Sequence, residues 1–157
     1  MPGLFFRLLL LPLLAVSLAG CDGGQSAEEA VLAMIETAVD AAERRDASDL
    51  LELVADAYLD RDGQNKKQIA GLLRAYFFTH KNIHLFTRIG EIDWLDERQA
   101  KVVLHVAMAG SVISNLDALQ SLRAQLYRFE LGLVRHEDGR WLLQHADWQP
   151  AEPFDLQ

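Results

Sequence analysis

Cysteine is nearly absent from this chain: Cys21 is the only one in 157 residues, so no disulfide can close within it. Proline is scarce too. Of the four prolines, Pro2 and Pro12 stand near the start and Pro150 and Pro153 near the end, so nothing in 13–149 interrupts a helix or a central strand. Basic residues are outnumbered, 15 Lys and Arg against 23 Asp and Glu, for a net charge of −8. With no Lys/Arg cluster along the sequence, that balance speaks against nucleic acid as a partner and against electrostatic docking on anionic lipid. Long apolar runs are missing after residue 20. The one such run, Leu8–Leu18, is interrupted by Pro12 and Ser17; it is long enough for the apolar region of a signal peptide and too short to span a bilayer. No repeat or low-complexity tract is present, and the length suits one domain with a single core.

What stands at the end of that run is informative. Arg7 and the amino terminus supply positive charge before it, and Leu18-Ala19-Gly20-Cys21 close it. This arrangement resembles the lipobox of bacterial lipoproteins. The resemblance implies a diacylglyceryl group on the Cys21 thiol, cleavage between Gly20 and Cys21, and acylation of the new amino terminus. Two or three acyl chains on one residue make a durable anchor where one chain binds only marginally. The alternatives are a retained signal anchor, or ordinary signal-peptidase cleavage after the small pair Ser17 and Ala19, which leaves an unpaired thiol in a disulfide-permissive compartment. The expected organisation is a signal peptide over 1–20, a lipidated tether over 21–25, a domain over 26–149 and a tail over 150–157. Asp22 after the cysteine resembles an inner-membrane retention signal, so the expected location is the periplasmic face of the cell membrane, inner rather than outer.

The first half of the domain has a helical period. Ser26 and Glu29 form a capping box, and Val31, Ile35, Ala38 and Ala42 trace an apolar face through a helix expected over Ala27–Arg45. A second, shorter helix is expected from Asp46 or Ser48 through Leu50, Leu51, Leu53 and Val54, before the turn Asp60-Arg61-Asp62-Gly63. A third starts near Asn65, carries Ile69, Leu72, Leu73, Tyr76 and Phe77, and ends around His80. Asp60, Asp62 and Asn65 around Gly63 suggest a calcium loop, but the glycine is misplaced and Gly71 stands where a bidentate glutamate belongs, so this reads as a helix-connecting turn.

The second half alternates with a period of two. Ile83, Leu85, Thr87 and Ile89 share one face, and beyond Gly90 the apolar phase moves to Ile92 and Trp94, which predicts a bulge at Gly90 and Glu91. Asp96-Glu97-Arg98 predicts a turn, and Val102, Leu104, Val106 and Met108 the next strand. Gly110–Gln125 is a connection with helical character around Leu116–Leu122. Tyr127, Phe129, Leu131 and Leu133 define a third strand, and Asp138-Gly139 predicts a hairpin into a fourth over Trp141–Trp148.

Three helices followed by a curved four-stranded antiparallel meander make an α+β domain with helices on one sheet face. In element order, in the strands Ala100–Met108 and Tyr127–Leu133, and in the closing Trp141–Trp148, the chain resembles the nuclear transport factor 2-like (SnoaL-like) superfamily of cone-shaped domains, which holds ketosteroid isomerases, scytalone dehydratase and polyketide cyclases. That family usually has a small hairpin between its second and third helices. Here only Tyr58–Asn65 is available, so the hairpin is expected to be reduced or absent.

The alternation points Ile83, Leu85, Ile89, Val102, Leu104, Val106, Met108, Phe129, Leu131 and Leu133 inward, with Leu85, Leu104, Val106, Met108, Phe129 and Leu131 expected to line a pocket. An isomerase of this fold needs a carboxylate base and proton donors for an oxyanion, and no carboxylate is among these positions. The best catalytic candidates are His145 and Asp147, two apart on the last strand, with Tyr127 or Tyr58 as partner; the parity of that strand is ambiguous, because both of its sides carry apolar residues. His84 and His105 fall with Arg88, Lys101, Arg128 and Glu130 on the opposite sheet face, where mixed charges suit cross-strand pairs or an interface better than a metal site. No cofactor and no metal is expected. Phe78 leaves the helical core stripe and is expected to be exposed.

The function these residues suggest is a lipid-anchored envelope domain, non-catalytic, that binds an apolar small molecule or a protein partner. The alternatives are an enzyme of the isomerase, dehydratase or cyclase type acting on a hydrophobic substrate, or an assembly factor whose pocket is filled by its own side chains. The sheet face with Phe86 and Val103 ringed by charge is the expected surface for homodimerisation.

Overall fold

The computed structural model describes residues 25–110 and 125–151. Cys21 with its preceding segment, the helical character expected around Leu116–Leu122, and the tail beyond Ala151 lie outside the described residues.

Helix α1 (Ala27–Arg44) opens on the capping box: Glu29 N donates to Ser26 Oγ at 3.1 Å, and Ser26 N donates to Glu29 Oε2 at 2.8 Å. A cap of this kind is worth about 1 kcal/mol. Arg45 ends the helix in the left-handed region, φ 59°. Asp46 then caps α2 (Ala47–Glu52) by accepting from the amides of Ser48 and Asp49. This helix is shorter than its leucines suggest, because Val54 leaves it to form a parallel bridge with Leu143. After the turn at Gly63, φ 77°, Asn65 and Gln68 form a second capping box for α3 (Lys66–Thr79).

Strands β1 (His84–Trp94), β2 (Gln99–Ala109), β3 (Gln125–Arg135) and β4 (Trp141–Pro150) form one antiparallel sheet in that order. The strand β4 runs one residue into the expected tail. The expected bulge is present: Ile89 pairs with Leu104 and Ile92 with Val102, so β1 spends one more residue than β2 at Gly90-Glu91. At the hairpin, His136 N donates to Arg140 O, and Gly139 takes φ 89°.

The inner face of the sheet packs against α1. Val31 and Ile35 meet Val102, Leu104, Val106, Leu133 and Trp141 in the main core, and Trp94 closes its end edge-on to Trp141 at 5.7 Å. Burial of side chains of this size contributes about 1.5–3 kcal/mol each. A smaller cluster of Val54, Tyr58 and Ala146 sits beside it, where residues 53–61 run along the free edge of β4. Leu143 N donates to Leu53 O at 2.8 Å, Ala55 N to Leu143 O at 2.9 Å, Leu59 N to Gln144 O at 3.1 Å and Arg61 N to Ala146 O at 3.1 Å. This segment covers an edge that would otherwise present unpaired amides. Between α2 and α3, where a reduced or absent hairpin is expected, there is the single bridge Leu59–Asn65.

Candidate functional site

The inner sheet face and the helices shape two adjacent cavities that have Met108 and Phe129 in common as wall residues. The inner one, about 250 Å³, lies between α1 and the sheet. Met34, Ala38, Val39 and Leu50 form its helical wall, and Leu85, Leu104, Val106, Met108, Phe129 and Leu131 its sheet wall. Thr87 is the one polar side chain among its described wall residues. The outer one, about 620 Å³, is an open cleft between α3 and strands β3 and β4, lined by Leu72, Ala75, Tyr76, Thr79, Tyr127, Phe129 and Trp148.

Why the cleft is open follows from α3. Its Ala70 and Phe77 are buried, but Leu72 on the same helix is about half exposed, so the apolar face is wider than the surface it covers. The rim carries the polar groups. Tyr76 stacks on His80 with ring centres 3.9 Å apart, and Thr79 Oγ1 donates to the helix carbonyls. Burial, and then the nearby Tyr127 phenol, push the Tyr76 phenol above its ordinary pKa, so it stays a neutral hydrogen-bonding group at neutral pH. Among the described residues the walls of both cavities carry no carboxylate and no imidazole.

His145 and Asp147 point elsewhere. In β4, Leu143 pairs with Leu133 and His145 with Gly132, so Gln144 is an extra residue. This second bulge resolves the ambiguous parity: Trp141 and Leu143 face inward before it, Ala146 and Trp148 after it, and His145 and Asp147 lie on the outer face. There His145 Nδ1 is 2.6 Å from Leu59 O, and Asp147 Oδ1 accepts from Arg61 Nη1 at 2.9 Å. Neither is joined to a tyrosine: Tyr58 is buried in the smaller cluster, and Tyr127 faces the cleft. In the turn at 60–63, Asp60, 3% exposed, accepts from the amides of Asp62 and Gln64 through Oδ1. Among the described residues no three metal-ligating side chains converge.

The outer sheet face is arranged in rows. Phe86, Ala107 and Leu126 face one another across three strands, followed by Arg88, His105 and Arg128, then by Val103 and Glu130. Arg128 is ion-paired to Glu130.

The folded surface adds a feature that the sequence does not display. Although the sequence has no basic cluster, Arg44, Arg45, Arg74 and Lys81 line one surface cavity of about 390 Å³ together with Phe77 and Phe78. The fold assembles it by placing the end of α1 beside the end of α3. Sequence reasoning missed it because its members come from two helix ends about 30 residues apart; the exposure expected of Phe78 was the only sign, and that ring is 76% exposed.

No protein-family model matches the sequence, and no curated protein matches it. Solved structures do. A ketosteroid isomerase-like protein from Erwinia carotovora atroseptica superposes with a TM-score of 0.59 at 14% identity, over 79% of this chain and 95% of that one. A protein provisionally assigned as a scytalone dehydratase from Novosphingobium aromaticivorans gives 0.66 at 13% identity, over 80% and 84%. A nuclear transport factor 2-like protein of unknown function from Shewanella oneidensis gives 0.57 at 15% identity, over 78% and 98%. At these identities the likeness is one of fold: three helices on a curved four-stranded sheet, the nuclear transport factor 2-like cone.

Proposed function

We propose that this chain is a lipid-anchored envelope protein whose cone binds an apolar or amphiphilic small molecule without transforming it. The observation that carries the reading is the inner cavity, apolar but for Thr87, next to a wider cleft that shares its wall residues Met108 and Phe129 and has phenols at its rim. An apolar tail gains its binding energy by leaving water, and a few polar groups at the mouth fix its orientation. Tyr76 and Tyr127 hold the polar end of such a ligand, and the inner cavity its tail. The fold also hosts isomerases and dehydratases, but chemistry of that kind needs an ionisable group tuned near neutral pH beside the substrate. The described walls offer hydroxyls and an indole instead.

The test is a titration of the purified protein with the neutral probe N-phenylnaphthylamine. Binding is expected, and Ala38→Phe, which fills the inner cavity, is expected to weaken it at least several-fold while circular dichroism stays unchanged. Turnover of a hydrophobic carbonyl substrate, lost on changing a wall hydroxyl, would replace this reading by the enzyme one.

Attachment rests on the resemblance at Leu18–Cys21. Cys21→Ser is expected to release the protein from the membrane fraction, which for Asp22 after the anchor is the inner membrane, periplasmic face. The row Phe86, Ala107 and Leu126 beside Arg88, His105 and Arg128 supports homodimerisation through the outer sheet face. Sedimentation equilibrium checks it; a monomer at high concentration removes it.

A further inference from the structure

A chain with a net charge of −8 gathers four cations in the lining of one surface cavity that also includes the exposed Phe78. Arg44 is already engaged, 2.8 Å from Asp49 and 3.9 Å from Asp40. Arg45, Arg74 and Lys81 have no carboxylate partner among the described residues, and Lys81 Nζ stands 4.9 Å from the centre of the Phe78 ring. Fifteen basic residues share the chain with 23 acidic ones, so leaving three of them unpaired in one place is not what self-neutralisation would produce. Phe78 in the same cavity lining is 76% exposed, so the fold buries little of it.

We propose that this patch is a docking surface for an anionic bilayer: Arg45, Arg74 and Lys81 engage lipid phosphodiesters, and Phe78 enters the boundary between headgroups and acyl chains. Guanidinium forks match phosphate oxygens, and a lysine beside an inserted ring keeps its ammonium in water while its stem lies along apolar surface. A small dissolved phosphate is a poorer fit, because the cations are spread around an open rim and nothing in that rim calls for a bare aromatic face.

The position of the patch gives the contact a consequence. Helix α1 has 18 residues and so spans about 27 Å, with the patch at its carboxyl end. Its amino end begins a few residues after Cys21. If that residue is the anchor, as proposed above, both ends of α1 are held at one surface, and the helix lies along the membrane instead of standing away from it. The lipid tether alone imposes no such orientation.

The experiment uses the full chain mixed with vesicles of phosphatidylcholine, with or without phosphatidylglycerol. Flotation reports attachment, and the labelling rate of Lys81 by a water-soluble amine reagent, read by mass spectrometry against Lys101 on the outer sheet face, reports docking. Lys81 is expected to be protected several-fold on anionic vesicles only, with Lys101 unchanged and the protection lost at high salt. Arg45→Glu with Arg74→Glu is expected to abolish the protection without preventing flotation, and Phe78→Ser to reduce it. Equal Lys81 labelling on both vesicle types, while the chain floats with both, overturns the proposal. So does equal protection by dissolved glycerol phosphate, which would make the patch a small-anion site. A chain that floats only with anionic vesicles keeps the patch and removes the anchor; one that floats with neither removes both.

Discussion

Arg61 Nη1 lies 2.9 Å from Asp147 Oδ1, 86 positions away in sequence, and ties the segment between α2 and α3 to the outer face of β4. His145 Nδ1, 2.6 Å from Leu59 O, adds a second tie one row along. Together they give this His and Asp a structural role: they brace the strip that covers the sheet edge.

Asp147→Asn is therefore expected to lower stability by about 0.5 kcal/mol, since the pair is partly exposed, and His145→Ala by about 1 kcal/mol through the lost hydrogen bond. Urea denaturation measures both. Binding of N-phenylnaphthylamine is expected to survive in each variant; a folded variant that no longer bound it would show that the outer face and the cavity are coupled.

Gly132 is set by the bulge opposite it. A Cβ there would stand 3.2 Å from the Cβ of His145, closer than ordinary packing allows. Gly132→Ala is expected to cost about 1 kcal/mol and to weaken the edge strip. Amide exchange at Leu59 and Arg61, which donate to β4, checks this: their protection should fall before that of β2.

Tyr58 makes the fold sensitive to alkali. Burial, and next the charge of Asp60, push its phenol from 10.0 up to about 12. Because the folded value is the raised one, the unfolded chain releases this proton first as pH climbs. Stability held below pH 10 is thus lost as pH rises from about 10 to about 12. Thermal melts across that window are expected to fall more steeply for the native chain than for Tyr58→Phe.

Thr87 is the one polar side chain among the described walls of the inner cavity. Thr87→Val keeps the shape and removes the hydroxyl, so the neutral probe is expected to bind at least as tightly. A molecule that co-purifies with the native protein and is depleted from this variant, by mass spectrometry of extracts, would carry a hydrogen-bonding group deep in the cavity.

Much of the fold was legible because its causes are local. The Ser26 and Glu29 box starts α1 through bonds three residues apart, and alternation in Ala100–Met108 assigns an inner face that the sheet register keeps. The phase slip from Ile89 to Ile92 foretold a bulge because both sides of it carry clear apolar residues. The slip at Gln144 was hidden. Residues 141 to 143 are apolar on both faces, and what favours the extra residue is the carbonyl of Gln144 turning to meet Leu59 N, a partner 85 positions away.

The sequence by itself determined the three helices, the four strands, the hairpin at Gly139 and the identity of the apolar sheet wall, since each depends on spacing along a few consecutive residues. Tertiary structure decided the rest. The standing-off of α3 that opens the cleft, the outward turn of His145 and Asp147, and the gathering of Arg45, Arg74 and Lys81 with Phe78 in one cavity lining each depend on how distant elements pack. Charge and shape at those places are properties of surfaces brought together in space, and a linear pattern carries no record of which helix end will lie beside which.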